Sequence, residues 1–203
     1  MISLSGSANE FSNLTMYPGF GPAGTVSSAL AVADNRLQNI STLRVDGVDA
    51  NVGQHGRLSQ LIYSLGMEGG YLLKYQEKFL QGTAPQDLLS TFENPVNLRG
   101  RLSASLGFHE LTVHGALNYT NHYNNTRGET PYRIASWSTV DFGITYQVAA
   151  WSYFRESRIQ LSCTNCLNRL PPYAGTSGYV FAFDPVNASP LGRFASLEMQ
   201  AEW

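Results

Sequence analysis

VNLRGRLSASLGF, residues 96 to 108, sets Val96, Leu98, Gly100, Leu102, Ala104, Leu106 and Phe108 against Asn97, Arg99, Arg101, Ser103, Ser105 and Gly107. Side chains of an extended strand point alternately to opposite faces, so this stretch has one greasy side and one wet side. At about 3.3 Å per residue it would reach roughly 40 Å, whereas a soluble strand has about 5 or 6 residues and a membrane-crossing strand about 9 to 11. The length favours a strand that crosses a bilayer.

The same pattern recurs on both sides of it. Leu43 to Gln54 is the first of seven strand candidates, with a change of phase near Gly47 that predicts a bulge. Leu61, Tyr63, Leu65, Met67, Gly69, Tyr71, Leu73 and Tyr75 mark the second, and residues 96 to 108 the third. The fourth runs over Leu111 to Thr120 and the fifth over Thr139 to Val148; the sixth begins with Ile159, Leu161 and Cys163, and the seventh covers Ala195 to Trp203. Connections between them alternate in length. The turns near His55 to Ser59 and at His109 and Glu110 are short and the one near Trp151 to Ser157 is intermediate, while residues 77–95, 124–134 and 168–192 are long. An antiparallel transmembrane β-barrel with short periplasmic turns and long extracellular loops has this rhythm. Tyr119, Tyr123, Trp137, Trp151, Tyr153 and Trp203, near strand ends, are the expected membrane-interface aromatics.

Composition narrows the function. Charged residues are 14% of the chain and the formal net charge is −2, so the clustered Lys/Arg excess of a nucleic-acid-binding surface is missing. No run of about 18 apolar residues offers a transmembrane helix, a test to which barrels are blind. The N-terminal stretch lacks the basic and apolar regions of a secretory signal peptide, and truncation is the expectation. Cys163 and Cys166 form a lone CTNC with no further soft ligands at useful spacing. A disulfide between them would need a local bend, because residues three apart on a strand face opposite ways; two packing cysteines are expected instead.

Asp46, Asp49, Asp141 and Asp184 with His55, His109, His114 and His122 supply acid and base groups. Most of them lie in turns or loops or face a watery lumen, with His114 and His122 solvated on the polar face of the fourth strand, so no catalytic, cofactor or metal site is assigned. Five Asn-X-Ser/Thr sites, at Asn13, Asn39, Asn118, Asn124 and Asn187, match the glycosylation acceptor pattern, which an Asn-rich composition produces by chance. In residues 168–192, Tyr173, Tyr179, Phe181 and Phe183 are the ligand-contact candidates, able to stack on a flat or ring-shaped solute, with loop self-packing as the competing reading.

Several segments in order resemble the C-terminal part of the β-barrel of TonB-dependent outer-membrane receptors. They are DNRLQN at 34–39 with RVDGVD at 44–49, NPVNLRGRLSASLGF at 94–108 with LNYTNHY at 117–123, and SWSTVDFGITY at 136–146. LSCTNCLNRLPP at 161–172 and GRFASLEMQAEW at 192–203 complete the set. The likeness covers roughly residues 34 to 203. It implies residues 42–203 as C-terminal barrel strands, with 1–41 an irregular segment belonging to an extracellular loop. It further implies a non-enzymatic component of nutrient uptake (siderophore, vitamin or oligosaccharide) in the Gram-negative outer membrane. The implied partners are outer-membrane lipid, the barrel-assembly machinery through the C-terminal strand, and the plug and remaining strands of a receptor. The TonB energy-coupling complex would be reached only through a missing N-terminal part. Seven strands leave two open edges, so a non-autonomous fragment is expected. A soluble all-β carbohydrate-binding or adhesive module is the alternative; a small autonomous or esterase-like barrel would need even closure and a Ser/His/Asp rim, and neither is visible.

Overall fold

The computed structural model describes residues 2–3, 32–33, 41–79, 82–128, 130–148, 156–175 and 181–202. The chain divides into two units, Met1–Ile40 and Ser41–Trp203. In the first, β1 (Ile2–Ser3) pairs antiparallel with β2 (Val32–Ala33). DNRLQN at 34–39 lies outside the described residues, as do Trp151, Tyr153, Tyr179 and Trp203.

The second unit is built on seven long antiparallel strands. They are β3 (Thr42–Leu58), β4 (Leu61–Lys78), β6 (Leu98–Phe108), β7 (Leu111–Thr120), β10 (Trp137–Val148), β11 (Glu156–Thr164) and β12 (Phe194–Glu202). Their order in the sheet is β12-β11-β10-β7-β6-β4-β3, with the short β5 (Gln86–Asp87) beside β4, and the sheet is not closed. Two short strands, β8 (Tyr123–Asn125) and β9 (Tyr132–Ile134), pair separately. No helix occurs among the described residues.

Register puts the alternations in phase. Tyr63, Leu106, Val113, Ile144, Leu161 and Leu197 stand in one cross-strand row; Leu61, Phe108, Leu111, Tyr146, Ile159 and Met199 form the next. A slip of one residue in any pair would send a strand's whole apolar set to the wrong face. The result is a continuous apolar face that nothing covers among the described residues: Leu197 is 60% exposed and Val48 61%. A soluble sandwich would lay a second sheet over this face. The opposite face carries Asn51, Glu68, Arg101, Asn118 and Thr139 in a row, and Ser64, Ser105, His114, Gly143, Ser162 and Ser196 in another. Ile62 and Phe194 interrupt its polarity.

The bulge expected near Gly47 is present: the register shifts between Asp46, opposite Lys74, and Gly47, opposite Leu72. Only glycine fits there without displacement, since a Cβ would meet the Tyr71 carbonyl at 3.1 Å and Leu72 Cδ2 at 2.9 Å. The strand limits differ from expectation at several ends. β3 continues to Leu58, and the turn narrows to Ser59 and Gln60, because Gly56 and Leu58 still find partners in Tyr63 and Leu61. β6 starts at Leu98 rather than Val96, because the Asn97 amide is taken by Ser90 Oγ at 2.9 Å and Val96 is buried among the loops. β10 begins two residues earlier than expected, with Trp137 opposite Thr120, and β11 three earlier, with Glu156 opposite Glu202.

Candidate functional site

The long connections β4–β6, β7–β10 and β11–β12 all leave the same end of the sheet, and there they pack on one another. Phe92 and Val96 from the first, Tyr123 and Ile134 from the second and Ala174 from the third form one hydrophobic cluster. Backbone bonds lace it: Phe92 N donates to Asn124 O, and Asn124 N to Ser90 O, both at 2.9 Å. Arg127 lies over the Phe92 ring, 5.3 Å from its centroid, and pairs with Glu93.

Tyr123 is therefore not an interface aromatic. It is 2% exposed inside this cluster, because the chain leaves the sheet after Thr120 and turns its aromatic into the loops. Its hydroxyl makes no hydrogen bond of good geometry among the described residues, with the Asp184 carboxylate its polar neighbour. Burial first, and the neighbouring Asp184 carboxylate second, hold its pKa above the ordinary phenol value. Tyr119 keeps its place on the apolar face, opposite Gly100 and Ser138. Trp137 stands on the polar face in the row of Arg99 and Thr120, with its indole N–H buried and without a hydrogen-bond partner among the described residues.

Asp184 is the polar centre of the cluster and is 0% exposed. Its Oδ2 accepts from Glu93 N at 3.0 Å and from Asn187 Nδ2 at 2.8 Å, and its Oδ1 from Val186 N at 2.9 Å. A buried carboxylate is tolerable only with donors of this kind, since burying a charge unpaired costs several kcal/mol. Asn187 extends the set to Asn94 O at 2.9 Å and, through Oδ1, to Arg99 at 2.6 Å. Nothing in the alternation pattern marks Asp184 or Asn187; they act across about ninety residues of chain, and an Asp-Pro-Val-Asn turn inside a long loop was the only signal.

The loop aromatics named from sequence divide. Ala174 N donates to Ala182 O at 2.8 Å, which pairs the backbone beside Tyr173 with the backbone beside Phe181 and Phe183. The two phenylalanine rings lie 5.7 Å apart, tilted by 50°. Tyr173, 71% exposed, lies against Gly175, where a Cβ would fall 2.5 Å from its hydroxyl. Gly175 O accepts from the Tyr132 hydroxyl at 2.7 Å.

Below the loops, the polar face carries a hydrogen-bonded ladder. Arg101 binds Asn118 Oδ1 and lies 3.4 Å from Asp141 Oδ2, while Asn118 Nδ2 donates to Asp141 Oδ2 at 2.8 Å and to Thr139 Oγ1 at 3.2 Å. Asp141 Oδ1 accepts from Asn165 N at 3.0 Å, tying the ladder to the turn after β11. The expectation of two packing cysteines is corrected at that turn: Cys163 and Cys166 are joined as a disulfide. The local bend that such a bond requires is supplied by Asn165, whose φ is 49°. His114 lies over Gly143, His122 Nδ1 lies 2.9 Å from Asn121 Oδ1, and among the described residues no three His, Cys, Asp or Glu converge on a metal position.

A family model described as TonB dependent receptor-like, beta-barrel matches residues 2–166. The chain belongs to that family, which carries an outer-membrane location and a receptor or transporter role. The match takes in residues 2–41, which the alternation set apart, and stops at Cys166. Comparison with curated proteins and with solved structures returned no match.

Proposed function

We propose that this chain forms part of the wall and mouth of a receptor that takes up a scarce solute, a siderophore, vitamin or oligosaccharide, across the outer membrane. The observation that carries this reading is the division of labour in one chain: an uncovered apolar face across seven strands below, and packed loops with exposed aromatics at one end. Lipid solvates the first, and the second meets solute. Tyr173, Phe181 and Phe183 supply flat surface for stacking, with Tyr179 in the same loop. Arg101, Asn118 and Asp141 line a watery interior, where a plug domain would sit and couple to TonB. The apolar alternation of β12 is the feature that the barrel-assembly machinery would engage. No step of chemistry is assigned to the chain, whose work is binding and passage.

Surface labelling tests this directly. The native cysteines are bonded to each other, so Leu167→Cys, at a position 72% exposed beside the loops, gives a single thiol. In Gram-negative cells the chain, given an export signal and joined to the remaining strands of a receptor barrel, is expected in the outer-membrane fraction, with Leu167→Cys labelled by an impermeant maleimide on intact cells. Recovery as a soluble periplasmic protein, or labelling only after permeabilisation, overturns the reading.

A further inference from the structure

One stretch of the β11–β12 loop, here called the tip, makes its bonds among the described residues to other elements and not to β11 or β12. Its residues Asp184 to Ala188 are held by the β4–β6 loop and by Arg99 of β6. Arg99 stands on the polar face, opposite Gly70 and Thr120. In the sheet, β10 and β7 separate β11 from β6, a distance of about 14 Å at the usual strand spacing. The tip therefore reaches inward over the polar side of two strands, as a strap across the mouth.

What holds the strap to Arg99 is weak for a guanidinium. Arg99 Nη2 donates to Asn187 Oδ1 at 2.6 Å and to Val186 O at 3.0 Å. Both acceptors are neutral, and among the described residues no carboxylate forms an ion pair with Arg99. Asn187 bridges Arg99 to the buried Asp184 carboxylate through its amide, while the Asp49 and Glu68 carboxylates share the groove without pairing to Arg99. Arg99 itself is exposed, beside an open groove of about 550 Å³ lined by Asp49, Glu68, Gly70, Arg101, Asn118 and Thr120. Guanidinium prefers a charged, bidentate acceptor, and bonds to ionised oxygens are roughly twice as strong as neutral ones.

We propose that Arg99 is an oxyanion-binding site at the mouth, and that a carboxylate or phosphate group on an incoming solute displaces Asn187 and Val186 from it and frees the strap. This rests on the uptake reading above and adds to it a solute class and a latch. Aromatics on the outer loops would hold a ring, and Arg99 its acidic group. Because Asp184 remains bonded to Glu93, the strap loosens at one attachment and keeps the other.

The test follows the strap and not transport. Ala188 is 8% exposed beside Asn187, so an Ala188→Cys thiol in the full chain, folded in detergent, reports release by its rate of maleimide labelling. Dissolved inorganic phosphate, and separately acetate, are expected to raise that rate about fivefold, the ratio a charged acceptor gains over a neutral one. Chloride at equal ionic strength is expected to leave it unchanged. Arg99→Gln should label fast without anion and ignore phosphate, and Arg99→Lys, which keeps charge and loses the fork, should respond weakly. Phosphatidylglycerol micelles should have no effect, since Arg99 faces away from the lipid side. No phosphate response with Arg99 in place, an equal response in Arg99→Gln, or a response to lipid alone overturns the proposal. Outer-membrane fractionation judges the uptake reading independently, because labelling in detergent depends on neither location nor transport.

Discussion

The sheet and the loops of this chain obey opposite solvents. On the strands the large apolar residues are outside, Met199 and Leu197 among them, and charge and hydroxyl occupy the other face. In the loops Phe92, Val96, Tyr123 and Ile134 are buried and Asp184 sits at their centre with its donors. A loop cluster that hides its hydrophobic residues is built for water. A sheet that displays them over seven strands needs hydrocarbon, where each backbone group must be paired within the sheet and apolar side chains lose nothing by exposure. The contrast teaches that where the hydrophobic residues go reports which solvent each region was selected to meet.

The largest effect should come from reversing the solvent of one strand position. Leu102→Arg puts a charge on the apolar face and is expected to cost about 2–4 kcal/mol in bilayer vesicles, while Ser103→Arg on the neighbouring polar position changes little. Urea unfolding in vesicles separates the two. Next, Asp184→Ala removes the acceptor of Glu93 N, of Val186 N and of one of the two Asn187 amide bonds, the other going to Asn94 O. It should loosen the loops by about 2–3 kcal/mol and leave the strands intact. Faster proteolysis between residues 168 and 193 with unchanged β circular dichroism would show it.

Reducing the Cys163–Cys166 disulfide should matter less. The bond closes a very short loop, so the chain-entropy gain is at most about 2 kcal/mol and is felt at the turn alone. Protease sensitivity near Asn168 with and without reductant measures it. The smallest effect belongs to Tyr123. Its folded pKa is raised by burial, so the neutral phenol's contribution is complete below the unfolded value of about 10 and declines as pH rises above it. Tyr123→Phe removes a hydroxyl that makes no hydrogen bond of good geometry among the described residues. It should shift loop stability by less than about 1 kcal/mol at neutral pH and abolish the alkaline loss, as read by proteolysis across pH 8 to 11.

The same contrast explains what could be read from sequence. Strands β4, β6 and β7 announce themselves because lipid on one side and water on the other impose a period of two over their whole length. Even the bulge beside Gly47 leaves its mark as a change of phase. Strand ends are less legible: Val96 continues the alternation of β6 yet belongs to the loop cluster. Tyr123 sits where a girdle aromatic would sit and is instead enclosed. Asp184 and Asn187 have no periodic signature at all, since their partners Glu93, Asn94 and Arg99 lie in a distant loop and strand. The Cys163–Cys166 bond depended on the left-handed backbone of Asn165, which spacing alone does not reveal.

The most direct test of the central claim is a nitroxide scan along β6 in lipid vesicles, one spin label at a time from residue 101 to 106. The account predicts alternation. Labels at Leu102, Ala104 and Leu106 should collide with oxygen dissolved in the bilayer, and labels at Arg101, Ser103 and Ser105 with a water-soluble nickel chelate. Equal access to the chelate at all six positions would contradict it, because both faces of the sheet would then be meeting water.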